Sequence, residues 1–336
     1  MRYSRQELFT PIGKEGQKKI RDKHVLVVGA GALGSANAEM LVRAGIGKLT
    51  IVDRDYVDWT NLQRQQLYKE ENVVEQLPKA VAAERRLREI NSEVEIVPHV
   101  MDADRETLEP LVGDVSVIVD GTDNFDIRFI VNDLAQKHNI PWVFGSCVGS
   151  YGMNFTFIPG KTPCLQCLLK TIPMSGMTCD TVGILSPVVQ IVSSYQVAET
   201  LKILTENDEA IRDTLLTFDV WQNDFFTMKV QNAKSNDCHS CGKVRTYPYL
   251  RYENATKAEV LCGRNTVQIR PKTIGEINLD ELYNKLTKLG KCERNPYLVS
   301  IMDGDLKVVF FYDGRAFIHG TNDMIKAKSV YYKYIG

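Results

Sequence analysis

The chain has 336 residues, 44% of them hydrophobic and 25% charged, which is ordinary material for a folded protein with a sizeable core and room for about two domains. Lys and Arg number 41 against 42 for Asp and Glu, so no basic surplus marks a general nucleic-acid binder. The start, Met1 to Leu8, is polar and charged, no run reaches about 18 apolar residues, and the expected compartment is the cytoplasm, with no membrane association. In such a reducing place the eight cysteines argue for metal or catalysis rather than a disulfide framework.

In chain order, His24 to Val28 is a β-branched run closed by Gly29, and Ser35 to Ala44 has helical spacing. Lys48 to Val52 is a second strand, Ala80 to Ile90 a helix, and Val94 to Val97 and Val115 to Val119 are further strands. Asp126 to His138 is helical and Trp142 to Gly145 extended. This alternation, with strands apolar on both faces, predicts a mostly parallel sheet covered by helices on both sides. After Ser150 the pattern changes. Met153 to Ile158 alternates as an antiparallel strand does, Thr162 to Gly183 is irregular, and Val188 to Leu204 is a helix apolar around most of its circumference. Leu215 to Val220 and Phe225 to Val230 read as a hairpin or two adjacent strands. From Arg251 on, Lys and Arg number 14 against 10 acidic residues, a mild shift that sets off a small α+β appendage. It carries strands at Thr266 to Ile269, Tyr297 to Ile301 and Lys307 to Tyr312. Helices are expected over Leu279 to Leu289 and Asp323 to Tyr334, and Asp313-Gly314 is a hairpin turn.

Gly29-Ala30-Gly31-Ala32-Leu33-Gly34 follows a strand and opens a helix, the context a G-x-G-x-x-G phosphate-binding turn requires. Asp53 ends the next strand, where a carboxylate accepts from ribose hydroxyls. The turn alone does not choose between NAD and ATP. Asp55, then Asn61-Leu62-Gln63-Arg64-Gln65 and Pro78-Lys79, add an Arg and a Lys that a triphosphate needs and a dehydrogenase fingerprint does not call for. Taken singly, Arg64 and Lys79 also read as surface charges. A fourth segment, Gly121-Thr122-Asp123-Asn124, leaves the carboxyl end of a strand. Asp123 there either meets the same nucleotide, holding Mg²⁺ against phosphate oxygens, or caps the helix that begins near Asp126.

Cys164-x-x-Cys167 and Cys238-x-x-Cys241 supply four thiolates, the donor set of a closed structural Zn²⁺ site. A redox pair is the alternative, but neither pair is expected to open a helix after a thioredoxin-like strand. Cys147 lies on an apolar strand and is expected in the core. Cys262 and Cys292 are not assigned.

Ser4-Arg5-Gln6, the glycine turn, Asp53-x-Asp55, Asn61 to Gln65, Pro78-Lys79, Thr122-Asp123-Asn124 and the two cysteine pairs stand in the order seen in the MoeB/ThiF family. These are bacterial relatives of ubiquitin-activating enzymes, and residues 1–245 resemble them. The resemblance implies a Rossmann-like α/β sheet with an antiparallel extension carrying a zinc site, followed by the appendage at 251–336. It implies an adenylyltransferase that uses ATP and Mg²⁺ to activate the C-terminal glycine of a ubiquitin-like sulfur carrier, of ThiS or MoaD type, for thiamine or molybdopterin biosynthesis. Gly29, Gly31, Gly34, Asp53, Asp55, Asn61, Gln65 and Asn124 would bind the nucleotide. Arg64, Lys79 and Asp123 would act on phosphates, metal and reacting carboxylate, with Arg5 reaching across from the partner subunit of a homodimer. Cys179 matches a crossover-loop cysteine that in the thiamine branch joins the carrier through an acyl persulfide. It equally reads as an idle thiol. The appendage is short for a rhodanese domain, so an external persulfide donor such as a cysteine desulfurase is expected, and the appendage is expected to help dock the carrier or that donor. Two rivals stand beside this reading: an NAD-dependent oxidoreductase, and a non-catalytic scaffold of the same fold.

Overall fold

The computed structural model describes residues 2–170, 182–251, 258–261, 265–270 and 277–335. They form two compact units, one ending at Arg251 and the other on Tyr252–Gly336.

In the first unit, α1 (Ser4–Glu7) and α2 (Gly13–Arg21) precede β1 (His24–Val28), α3 (Ala32–Ala44) and β2 (Lys48–Asp53). Next come α4 (Glu70–Val74), α5 (Lys79–Ile90), β3 (Glu95–Val100), α6 (Arg105–Leu108), β4 (Val117–Asp120) and α7 (Phe125–His138). The antiparallel part holds β5 (Trp142–Val148), β6 (Tyr151–Phe157), α8 (Leu165–Leu169), α9 (Ser186–Leu204), β7 (Thr214–Asp219) and β8 (Asp224–Lys229). The eight strands lie in the order β3-β2-β1-β4-β5-β6-β7-β8. Pairing is parallel from β3 to β5 and antiparallel from β5 to β8, as the change of pattern after Ser150 predicts.

The physical reason for that order is burial. Every residue of β1 and β4 is buried, so both strands need helices on both faces, and the βαβ crossovers supply them. The helix α9 is apolar nearly all round and is correspondingly buried, with Val188, Val189, Val192 and Leu204 shielded from solvent. Trp142 stacks on Phe157 at 4.5 Å between ring centroids, and Phe144 and Phe155 close the same core.

Strand order puts β1 between β2 and β4, so consecutive crossovers leave it in opposite directions and a crevice opens at the carboxyl ends. Register then levels the exits. Val28 pairs with Val52 on one side and Asp120 on the other, so Gly29, Asp53 and Gly121 stand level at the carboxyl end of the sheet. The turns they start are packed to contact. A Cβ on Gly34 would lie 1.8 Å from the Gly29 carbonyl oxygen, and one on Gly121 would lie 2.5 Å from that oxygen and 2.7 Å from Gly34 Cα.

The second unit is an antiparallel sheet ordered β11-β12-β13-β14-β10-β9, built from β9 (Ala258–Leu261), β10 (Thr266–Ile269), β11 (Cys292–Arg294), β12 (Leu298–Asp303), β13 (Leu306–Phe311) and β14 (Ala316–His319). Helices α10 (Leu279–Leu286) and α11 (Met324–Ile335) contribute Leu282, Leu286, Tyr331 and Tyr334 to its core, against Val267, Ile301, Phe310 and Ile318. Asp313-Gly314 turns β13 into β14 with Gly314 at a φ of 85°, as its sequence predicts. No helix among the described residues is long and apolar enough to cross a membrane.

The glycine contacts give a direct test. Gly34→Ala is expected to cost about 3 kcal/mol or more in urea unfolding, because only backbone stands in the way of the new methyl. Gly113→Ala, with open space around its Cβ, should stay within about 0.5 kcal/mol of the parent.

Candidate functional site

At the crevice the backbone of the first turn is held from two sides. The Ala30 N–H donates to Asp53 Oδ2 at 2.6 Å, and the Ala30 carbonyl accepts from the Tyr68 hydroxyl at 2.6 Å. Asp53 Oδ1 accepts from the Asp55 N–H at 2.7 Å. Burial pushes the Asp53 carboxyl above its ordinary value, with Lys79 pulling the other way. Burial also pushes the Tyr68 phenol well up, so it stays protonated and donates. Sequence reasoning passed over Tyr68, which has no motif of its own.

Lys79 opens α5 and is 2% exposed. Its Nζ lies 2.9 Å from Asp55 Oδ2, a buried ion pair a few residues from Asp53. It is therefore not a surface charge. Arg64 is partly exposed and donates from Nη1 to the Thr60 carbonyl at 2.7 Å. Asn61 and Gln65 are buried in the same turn, where Asn61 Oδ1 accepts the Asp58 N–H at 3.0 Å. Gln65 Oε1 is buried without a hydrogen-bond partner, an acceptor that a bound group can satisfy.

Across the crevice, the cap of α7 is Asn124, whose side chain accepts the Asp126 N–H at 2.7 Å. That settles which residue caps the helix and leaves the Asp123 side chain exposed. Beneath them lies an ion pair invisible to motif reading: Asp120 at the end of β4 and Arg128 on α7, both almost fully buried. Gln196 of α9 donates to the carbonyls of Asp120 at 2.7 Å and Val143 at 3.1 Å, and accepts from Asn37 of α3 at 2.8 Å. A Cβ on Gly145 would strike that Gln196 amide at 2.5 Å.

Arg5 is elsewhere in its own chain. Gln6 donates to the Ala44 carbonyl at 2.9 Å, and the Tyr3 hydroxyl accepts from Asn91 at 2.8 Å, which moors α1 at the carboxyl end of α3. The glycine turn is at the other end of that helix, about 20 Å away along its axis. The exposed Arg5 is therefore not brought to the other candidates within one chain.

Cys164, Cys167, Cys238 and Cys241 converge, with all four sulfurs within 4.8 Å of one another and buried. The Cys164–Cys238 and Cys167–Cys241 sulfur separations are both 3.6 Å. A tetrahedron of thiolates about 2.3 Å from zinc has edges of about 3.8 Å, so the donor set fits. Hydrogen bonding to Cys241 and burial hold the Cys164 thiol well above its usual range, while the same bond pulls Cys241 down to about 5. Crowded sulfurs of this kind are relieved by a shared dication. Cys164 caps the short α8, and the strand before it, β6, is antiparallel to both of its neighbours. The two 3.6 Å sulfur contacts run between the knuckles, across 74 residues, as one shared four-sulfur centre requires. The knuckles hang on α7: Asn132 Oδ1 accepts the Leu165 N–H at 2.8 Å, and Asp133 accepts from the Ser240 hydroxyl and, at 3.0 Å, the Tyr249 N–H. Cys147 is half-buried against the Val188 and Phe218 cluster. Cys179 and Cys262 lie outside the described residues.

Fold and site together define a Rossmann-like α/β protein with a four-cysteine centre. The chain belongs to the ThiF family, whose model matches residues 3–240. It is 54% identical to the sulfur carrier protein ThiS adenylyltransferase of Bacillus subtilis, over 100% of this chain and 99% of that one. It is also 30% identical to the molybdopterin-synthase adenylyltransferase of Salmonella typhimurium, over 72% of this chain and 96% of that one. Among solved structures, E. coli MccB with ATP has the same fold, with a TM-score of 0.62 at 22% identity over 72% of this chain and 74% of the other.

Metal analysis of the purified protein is expected to find about one zinc per chain, and Cys241→Ser should remove it and lower the melting temperature.

Proposed function

We propose that this chain is an ATP-dependent adenylyltransferase that activates the C-terminal glycine of a ThiS-type ubiquitin-like sulfur carrier as an acyl-adenylate. The observation that carries the reading is the 54% identity to the Bacillus subtilis ThiS adenylyltransferase, which runs the whole length of both chains. That length includes residues 251–336, beyond the stretch matched by the family model. It favours a thiamine-type carrier over a MoaD-type one. In this reading residues 1–245 form the adenylating domain, and the appendage helps dock the carrier or a persulfide donor such as a cysteine desulfurase.

The reaction asks little covalent chemistry of the protein. The carrier's terminal carboxylate attacks the α-phosphorus of ATP, the bond to the bridging oxygen breaks, and pyrophosphate leaves. Positioning and positive charge suffice for that step. Gly29, Gly31 and Gly34 let the triphosphate approach the backbone, and the start of α3 offers N–H groups to it. Asp53 takes the ribose hydroxyls with its remaining lone pairs, and Asp55, Asn61, Gln65 and Asn124 line the same site. Lys79, parked on Asp55, and Arg64 hold phosphate oxygens, Arg64 as a planar clamp and Lys79 as a point charge on a flexible stem. Asp123 is the carboxylate placed to hold Mg²⁺ beside the reacting groups, where the ion offsets phosphate charge. Arg5 is supplied from the partner subunit of a homodimer, in keeping with its mooring far from the glycine turn of its own chain. The four cysteines hold Zn²⁺, which crosslinks the knuckles and keeps no open position for catalysis. The cytoplasm is the compartment in which those thiolates persist.

The test is ATP–pyrophosphate exchange with a carrier ending in Gly-Gly. Exchange that depends on a ThiS-type carrier is expected; exchange with a MoaD-type carrier alone would reassign the branch, and none with either would refute adenylation. Arg64→Ala should lower exchange by roughly 100-fold while stability stays within about 0.5 kcal/mol, because that side chain is partly exposed. Cys179→Ser should leave exchange within about twofold, since no protein nucleophile takes part in the first step.

A further inference from the structure

The carbonyl immediately ahead of Asp123 is bonded to a buried guanidinium. Arg128, one turn into α7, donates from Nη2 to the Thr122 carbonyl at 2.8 Å and to the Gly145 carbonyl at 2.9 Å. Its Nε donates to Asp120 Oδ2 at 2.9 Å. The other carboxylate oxygen of Asp120 accepts from the Thr122 N–H at 2.9 Å and hydroxyl at 2.7 Å. The guanidinium lies against the rings of Phe125 and Phe144, 5.0 and 4.9 Å from their centroids. One side chain thus ties together the end of β4, the loop that follows it, β5 and the first turn of α7.

Stability alone does not account for this arrangement. Desolvation consumes most of the attraction in a buried ion pair, and apolar side chains of similar volume often do as well. Between two phenylalanines an apolar residue would pack. What it would lack is a planar fork that meets three oxygen acceptors at fixed angles, and lysine lacks that fork too. Two of those acceptors belong to the Asp120–Thr122 segment that leads into Asp123.

We propose that Arg128 is a positioning residue for the adenylation step. Through the Thr122 carbonyl it fixes the backbone that presents the Asp123 carboxylate, without touching nucleotide or carrier. This rests on the adenylation reading above, and the tests separate the two.

Arg128→Lys keeps the charge and removes the fork. The kcat of carrier-dependent exchange is expected to fall on the order of 100-fold, with the KM for ATP within about threefold. In an Asp123→Asn background the same substitution should have no further effect beyond about twofold, because the group it positions has lost its function. Losses that multiply in the double variant, or full activity in Arg128→Lys, would overturn the proposal. Thr122→Val is the milder second variant, deleting only the hydroxyl bond to Asp120, and should lose roughly fivefold in kcat while remaining folded. A readout independent of turnover is amide hydrogen exchange of peptides spanning residues 121–124. It should quicken by on the order of tenfold in Arg128→Lys while β1 and β2 peptides are unchanged. Unaltered exchange there refutes the positioning role whether or not the parent protein turns over. A parent that supports no carrier-dependent exchange but whose loop loosens on substitution would instead count against adenylation alone.

Discussion

Two backbone turns from different parts of the chain touch at Gly29, Gly34 and Gly121, and the candidate site is arranged around that touch. Side chains of any size at Gly34 or Gly121 would collide with carbonyl or Cα atoms, not with yielding side-chain ends. Contact at this distance brings the turn after β1 and the loop after β4 into one crevice. It also sets where Asp53 and Asp123 stand relative to each other, since Asp53 ends β2 and Asp123 follows β4, both in register with β1. Asp53 and Tyr68 then fix the Ala30 peptide from its two ends, which holds the first turn in place.

The same crevice is flanked by two buried ion pairs of different character. Lys79 and Asp55 are joined by a single ammonium contact, on a flexible stem able to change partner. Arg128 and Asp120 are locked by a planar fork with further backbone acceptors and aromatic walls. Burying charge is costly wherever it occurs, and removing one partner of such a pair costs about 3–5 kcal/mol. Two such pairs thus place fixed charge beside one crevice. The first suits a group that exchanges onto a ligand, and the second a group that stays where it is.

Helix α7 connects this chemistry to the cysteine centre. Its first turn carries the Asn124 cap and Arg128, while Asn132 and Asp133, one turn further on, accept backbone and hydroxyl donors from both knuckle segments. The four-sulfur centre is therefore tied by hydrogen bonds to the helix that carries the loop of Asp123, although no cysteine is part of that loop. Burial raises the Asp133 carboxyl above its ordinary value, against the Ser240 and Tyr249 donors that favour its charged form.

The sequence by itself determined the alternation of strands and helices, the parallel sheet, the glycine turn and the four-sulfur donor set. Each is written in local periodicity or fixed spacing, which chain-local physics reads directly. The hairpin at Asp313-Gly314 and the buried helix at Ser186–Leu204 were legible for the same reason. Only the tertiary structure decided that Lys79 is a buried partner of Asp55, that Asn124 caps α7, and that Arg5 lies far from the turn of its own chain. The importance of Tyr68, Gly121, Arg128 and Gln196 was likewise hidden. Their partners are tens of residues away or lie on backbone atoms, and a backbone carbonyl has no letter in the sequence. Distance along the chain does not encode which carbonyl a guanidinium will meet; strand order and register do.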